Sequence, residues 1–148
     1  MKVQNINNIM NTKSDLQFRG FIELKNSALS EQKIHKFIET ASSDNAFEMA
    51  MLLDKLTDKM MTFSALTKLS FRALGNGKFV PVLQNMWSNY KHKFEEIELS
   101  ENDLTDNDLK TLQKFGEKLD RIRPWAIENR FKKAKHDGIN DVAFECLP

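Results

Sequence analysis

The chain has 148 residues, of which 41% are hydrophobic and 29% are charged, and its formal net charge is +1. This length suits one domain with a substantial core, and a charge near zero excludes a general electrostatic attraction to nucleic acid or membranes. The single cysteine, Cys146, excludes an internal disulfide and fits a reducing compartment. No stretch approaches the roughly 20 apolar residues of a membrane span, and the polar N-terminus does not resemble a secretory signal. We therefore expect a soluble, cytoplasmic protein, and export that needs no cleaved signal is also compatible with these features.

The first part of the chain predicts a weakly structured start followed by helices. Residues 1–13 are polar and rich in Asn, so we expect a loosely ordered N-terminal arm, with residues 14–148 forming a single helical domain. Residues 14–25 are expected to form a short helix, and a strand at 21–24 is the alternative. Ser30 is a suitable N-cap for the next helix, whose apolar residues are spaced to share one face.

The longest apolar segment, residues 44–74, is expected to be the central helix around which the other elements pack. Its apolar residues recur at steps of three and four, as in a helix that is buried on more than one face. Gly75 follows and is favourable for ending a helix. An unbroken helix of this length would measure roughly 45 Å, so we predict a kink or break at 62–64, where Ser and Thr side chains can bond to their own backbone. The apolar seam consists of Ala46, Met49, Leu53, Leu56, Met60 and Phe63.

Three further helices are expected in the second half of the chain. Pro81 is favourable in the first turn of a helix, and the spacing of the apolar residues that follow predicts a helix over 81–99. Two Ser/Thr-x-x-acid sequences precede a helix expected over 106–123. A proline then ends this helix and begins another over 124–136, with Trp125 facing inward. Together these elements predict an all-α, single-domain bundle of five or six helices.

No motif for catalysis, nucleotide binding or metal binding stands out in the sequence. Residues 75–78, Gly-Asn-Gly-Lys, lack the glycine spacing and the following Ser or Thr of a phosphate-binding loop. The acidic segment 95–108 contains no glycine, which an EF-hand calcium loop requires at its centre. The three histidines lie far apart in polar or charged surroundings. We therefore predict a non-enzymatic protein without a cofactor and without a bound metal.

The distribution of charge is the most informative functional feature. Residues 95–108 contain seven acids and no Lys or Arg, whereas residues 110–135 contain nine basic residues against three acids, a net of +6. Opposed patches speed association with a partner protein and fix its orientation; the alternative is solvated helix faces that attract each other across the fold. The predicted acidic partner-binding residues are Glu95, Glu98, Glu101 and Asp103. The predicted basic ones are Arg121, Arg123, Arg130, Lys132, Lys133 and Lys135.

These observations favour a protein–protein interaction module, such as a small adaptor, chaperone-like factor, inhibitor, effector or other regulator, that uses the two charged surfaces. The sequence identifies neither its protein partner nor its oligomeric state. The alternative is a helical nucleic-acid-binding protein that contacts phosphates through the basic segment 121–135. Nucleic-acid binding predicts an affinity that falls steeply with salt, whereas an interaction module is expected to expose an apolar patch.

Overall fold

The computed structural model describes residues 20–24, 29–64, 66–86, 88 and 90–137, with the side chains of its last helix described to residue 133. In this part of the chain a mixed sheet of five strands accompanies four helices, so the predicted all-α bundle is wrong. The predicted arm at 1–13 lies outside the described residues. The strands are β1 (Phe21–Ile22), β2 (Thr67–Gly75), β3 (Lys78–Asn85), β4 (Lys91–Lys93) and β5 (Ile97–Glu98). The helices are α1 (Glu31–Thr40), α2 (Ser43–Met60), α3 (Asp106–Asp120) and α4 (Pro124–Asp137).

The sheet is built around the antiparallel pair β2 and β3. On the other edge of β2, β1 runs parallel, with Phe21 opposite Lys68. On the other edge of β3, β4 and β5 pair one after the other in antiparallel register. Pro81 separates these two strands. The Phe94 N–H donates to the Pro81 carbonyl (2.9 Å), but Pro81 has no N–H and cannot donate the second hydrogen bond of this pair. The ladder resumes at Ile97 after one extra residue, which forms a bulge.

A two-residue turn joins β2 to β3, in a region where the sequence predicted helices. Asn76 and Gly77 both have a positive φ, 57° and 76°, as a type I′ hairpin turn requires. Thr67, Leu69 and Phe71 are buried while the residues between them are less so, which is the two-residue period of a strand. The predicted central helix therefore ends early, and three strands replace the helix predicted after it.

The central helix is α2, which covers only the first part of the predicted segment 44–74. Ser42 caps its N-terminus with a side-chain hydrogen bond to a backbone N–H of the first turn. The helix ends at Met60, just before the predicted break at 62–64, and Leu66 then has a φ of 73°. Beyond this turn the chain continues as β2 and not as a second half of the helix.

The helices predicted from capping patterns are confirmed. Ser30 Oγ accepts a backbone N–H (3.3 Å) at the start of α1. At the start of α3, Thr105 and Asp108 form a capping box, and the buried Asp108 carboxylate also accepts the Ser100 N–H (3.1 Å). Helix α4 begins at Pro124, where the missing N–H sacrifices no intrahelical hydrogen bond. Among the described helices, none combines the length and the apolar character needed to cross a bilayer.

One hydrophobic core joins these helices to the sheet. Phe115 of α3 makes edge-to-face contacts with Phe71 of β2, at a centroid distance of 5.6 Å, and with Phe94, at 5.1 Å. Gly116 allows α3 to approach α2 closely, because a Cβ at this position would lie 3.2 Å from Leu52 Cδ1. Helices α2 and α3 therefore pack side by side against the sheet.

We expect Gly20→Ala to lower the free energy of unfolding by about 1–3 kcal/mol, the usual cost of overpacking. A Cβ at Gly20 would collide with the Met60 carbonyl oxygen and lie 3.0 Å from the Phe63 Cβ, and neither atom can turn aside as a side-chain end can. Gly116→Ala is the matched control, since its Cβ would meet only the flexible ends of two leucines, and alanine recovers about 1 kcal/mol of helix propensity. Urea unfolding of the parent and both variants measures the difference; equal losses would contradict this explanation.

Candidate functional site

The outer face of α4 carries an exposed aromatic ring beside basic side chains. Trp125, Asn129, Lys132 and Lys133 are spaced i, i+4, i+7 and i+8, so they share one face of the helix, and all four are exposed. Trp125 is 62% exposed, which corrects the prediction that it faces inward. The opposite face of α4 is the buried one and includes Ile127.

Two further predicted basic residues, Arg121 and Arg123, are exposed just before α4. Between residues 121 and 133 the only acid is Glu128, and its carboxylate accepts the Ser64 N–H (2.6 Å). The positive charge of this segment is therefore not neutralised from within the segment. We call Arg121, Arg123, Trp125, Lys132 and Lys133 the α4 basic surface.

Arg130, which was also predicted for this surface, has a different environment. Its Nη1 donates to the Tyr90 hydroxyl (3.2 Å), and that hydroxyl lies 3.5 Å from His92 Nδ1. The Tyr90 ring packs edge-to-face against Phe131, with centroids 5.6 Å apart. Arg130 therefore helps to hold α4 against β4. The side chain of Lys135, the sixth predicted basic residue, lies outside the described side chains.

The four predicted acidic residues are divided between exposed and paired positions. Glu95 pairs with Lys118 of α3 (2.8 Å), and Asp103 pairs with Lys36 of α1 (2.9 Å). The hydrogen bond and the charge of Lys118 hold the pKa of Glu95 below its ordinary value. The pairing of Glu95 and Asp103 fits the alternative interpretation, in which charged faces attract each other across the fold. The remaining two residues, Glu98 and Glu101, are exposed.

A groove between α2 and α3 has a volume of about 960 Å³ and is open to solvent. Its apolar part is formed by Met51 and Leu52, and Met51 is 54% exposed. Phe47 lies one turn before Met51 on the same face of α2 and is 50% exposed. The charged lining consists of five carboxylates, from Glu48, Asp54, Asp58, Glu117 and Asp120, and two ammonium groups, from Lys55 and Lys59. We call this the α2–α3 groove.

Contacts between α2 and α3 cross the α2–α3 groove at both of its ends. Gln113 Nε2 donates to a Glu48 carboxylate oxygen (2.9 Å) at one end. At the other end, the Lys55 ammonium pairs with the Asp120 carboxylate (2.9 Å). Lys59 Nζ donates to the backbone carbonyl of the same aspartate (2.9 Å). Both lysines therefore contact Asp120, the last residue of α3.

Three carboxylates of the groove, those of Asp54, Asp58 and Glu117, have no hydrogen-bond or ion-pair partner within the described residues. Asp54 and Asp58 lie one helical turn apart, so their charges repel each other. Burial, and after it the charge of Asp58, raises the pKa of the Asp54 carboxyl. Asp58 also lies in the last turn of α2, near the negative end of the helix dipole. The negative charge of Asp54 therefore opposes folding locally, as charges at functional sites often do.

His92 is a half-buried titratable side chain that belongs to neither surface. Burial, and after it the positive charge of Arg130, lowers the pKa of His92. Its ring packs edge-to-face against Phe94, with centroids 5.0 Å apart. His35 differs, since its Nε2 atom is buried and has no hydrogen-bond partner among the residues that the structure describes. In the same part of the chain, no group of three or more His, Cys, Asp or Glu side chains is placed to hold a metal ion.

We predict that the protein loses stability between about pH 7.5 and about pH 5.5, in part because of His92. The unfolded chain takes up this proton near the ordinary pKa of 6.5, whereas the folded chain keeps the ring neutral to a lower pH. As the pH falls through 6.5, the free energy of unfolding therefore decreases, by at most about 1.4 kcal/mol per pH unit for one proton. His92→Gln should weaken this dependence in urea unfolding at both pH values. An unchanged dependence would contradict the effect of burial on this histidine.

We predict that Asp54→Asn raises the melting temperature slightly at neutral pH. The folded-state pKa of Asp54 lies above its ordinary 3.8, so its charge costs stability above the folded-state pKa, and this cost disappears as the pH falls below 3.8. Glu95→Gln is the matched control, because it removes the same charge where Lys118 lowers the pKa, and it should lower the melting temperature. Thermal unfolding near neutral pH and at about pH 3 makes the comparison. Shifts of the same sign would assign the effect to net charge and not to local environment.

Comparisons with protein-family models, with curated proteins and with solved structures found no match to this chain. Any function of the chain therefore has to be inferred from the charge, the exposure and the contacts of its own residues.

Proposed function

We propose that this chain is a non-enzymatic protein-interaction module and that its α4 basic surface binds an acidic segment of a partner protein. The observation that carries this proposal is the exposure of Trp125, which lies on the same face of α4 as Lys132 and Lys133. Tryptophan and arginine are the residues most often found where a few side chains supply most of the binding energy of an interface. An exposed tryptophan beside uncompensated positive charge therefore suits recognition of an acidic segment that also carries an apolar residue.

The dimensions of the α4 basic surface suit a short segment. Trp125 and Lys133 are eight residues apart on one helix, which corresponds to about 12 Å along its axis. Arg121 and Arg123 extend the positive charge beyond the start of α4. An acidic partner would be steered by these charges and anchored by the ring, so the charges act on the association rate and the ring on the dissociation rate.

The proposed binding surface contains only some of the charged residues that the sequence predicted to bind a partner. Arg130 is engaged with Tyr90, so it is left out of the binding surface. Glu95 and Asp103 already have lysine partners, and Glu98 and Glu101, although exposed, lie outside α4, so none of the four acids belongs to the proposed surface. What remains is a smaller surface of four cations and one aromatic ring.

Binding of single-stranded nucleic acid is the second candidate function for the same surface. The flat face of Trp125 can stack on an unpaired base, and the lysines and arginines can contact phosphates. The two candidates differ in their salt dependence, because each phosphate contact releases counterions and steepens the fall of affinity with salt. They also differ in the requirement for an apolar residue in the ligand.

The test measures binding of two fluorescent probes by anisotropy, an acidic peptide with Phe residues and a single-stranded oligonucleotide of similar length. We expect the peptide to bind, and we expect Trp125→Ala and Lys132→Glu/Lys133→Glu each to weaken binding by about tenfold or more. The matched control is Lys110→Glu/Lys114→Glu, which makes the same charge change at exposed positions of α3. This control should bind as the parent does.

Each outcome decides between the candidates. Binding of the oligonucleotide alone, with a steep salt dependence, would replace the acidic protein partner by nucleic acid. Binding of neither probe, or an equal loss in the α3 control, would overturn the proposal for the α4 basic surface. Circular dichroism of each variant confirms that the exposed substitutions leave the fold intact.

A further inference from the structure

The α2–α3 groove has the length and the openness of a surface that holds a helix. On α2 its lining runs from Glu48 to Lys59, which corresponds to about 17 Å, or about three helical turns. Its volume of about 960 Å³ lies near the upper end of the range for small-molecule sites. Because the groove is open to solvent along its length, an elongated ligand fits it better than a compact one.

The apolar side chains in and beside the groove favour a ligand that has apolar residues. In the lining, Met51 is half exposed and Leu52 beside it is buried. Phe47, which lies one turn before Met51 and outside the lining, is also half exposed. Methionine adapts its shape easily and is common on surfaces that accept helical peptides. A helix that lies in such a groove presents its anchors at i, i+3, i+4 and i+7.

The charged side chains of the groove call for cations in the ligand. Five carboxylates and two lysines give its lining a net charge of −3, and both lysines are already in contact with Asp120. Asp54, Asp58 and Glu117 remain without a partner among the described residues. Asp54 and Asp58 are about 6 Å apart along α2, which is also the spacing of basic residues at i and i+4 on a helix that lies alongside. Their mutual repulsion would be relieved when such a ligand binds.

The geometry points to the α2–α3 groove as the docking site for a basic amphipathic helix of a partner protein. Leucine, methionine or phenylalanine anchors of that helix contact Met51 and Leu52, and its Lys or Arg residues pair with Asp54, Asp58 and Glu117. This site is separate from the α4 basic surface, on other helices and with the opposite charge. The two proposals therefore stand or fall independently.

The test uses the full chain and three labelled synthetic peptides of about 18 residues, enough for about five helical turns. The first places Leu at helical spacing with Lys on the flanks, the second has the same composition in scrambled order, and the third replaces Lys by Glu. We expect the first peptide to bind with an affinity at least tenfold higher than that of the scrambled peptide, and the Glu peptide not to bind. Amide chemical shift changes on binding should be confined to α2 and α3.

Charge reversal in the groove provides the second measurement. Asp54→Lys/Asp58→Lys should weaken binding of the first peptide at least tenfold, and Met51→Ala should weaken it several-fold. The reversal is not expected to unfold the chain, because Asp58 is exposed, Asp54 is only partly buried, and lysine is a good helix former. The matched control is Glu98→Lys/Glu101→Lys, which changes the net charge equally at exposed positions of the predicted acidic surface, and it should leave binding unchanged.

Three results would overturn the inference. These are failure of the amphipathic peptide to bind, binding no tighter than that of its scrambled counterpart, and a loss of affinity in the control equal to that in the groove variant. Sedimentation without a peptide tests a different occupant, since self-association that Asp54→Lys/Asp58→Lys abolishes would assign the groove to a second copy of the chain. The Lys132→Glu/Lys133→Glu variant, which tests the α4 basic surface, should keep its affinity for the amphipathic peptide.

Discussion

The ladder between β2 and β3 supports every other part of the described fold. Its eight paired positions form the longest run of pairing in the sheet, and β1, β4 and β5 all add to its two edges. Phe71 projects from it into contact with Phe115 of α3, so the same ladder anchors the helical layer. The ladder itself depends on a chain reversal at Asn76 and Gly77, where both residues adopt the left-handed conformation. Side chains that cannot adopt this conformation at low cost would misalign the pairs and displace the core residues behind them.

The elements that could be predicted were those whose signals are local. Ser30, Thr105 with Asp108, and Pro124 each mark a helix start through contacts within one turn, and the structure has helices at all three places. The structure has β1 at Phe21–Ile22, where a strand at 21–24 was the alternative prediction. The other strands were missed because the apolar residues of β2 and β3 are spaced ambiguously, so that steps of two and of three or four both fit short runs. The Asn-Gly pair at 76–77 is the signal that resolves this ambiguity, because it favours a hairpin turn, whereas Gly75 alone also fits a helix end.

The two candidate surfaces differ in how far a sequence can predict them. The exposure of Arg121, Arg123, Lys132 and Lys133 follows from their charge. The inward prediction for Trp125 was wrong, although its place opposite Ile127 on a helical wheel indicates the outward position. The lining of the α2–α3 groove could not be predicted, because it depends on which helix packs against α3 at Gly116, and the contact there, Leu52, is far away in the sequence. Which charges remain unpaired is likewise a property of three-dimensional contacts. Glu95 and Asp103 looked available in the sequence, yet lysines from other helices pair with both.

Pro81 interrupts the pairing of β3 with β4 and β5, and this interruption affects how the sheet could be extended by another chain. A long regular edge strand invites another chain to extend the sheet, which leads to strand exchange or aggregation. Here the described strands of this edge are short, are separated by a bulge, and carry Lys91, Lys93 and Glu98. The proline and the bulge therefore make this side of the sheet a poor template for strand exchange between molecules.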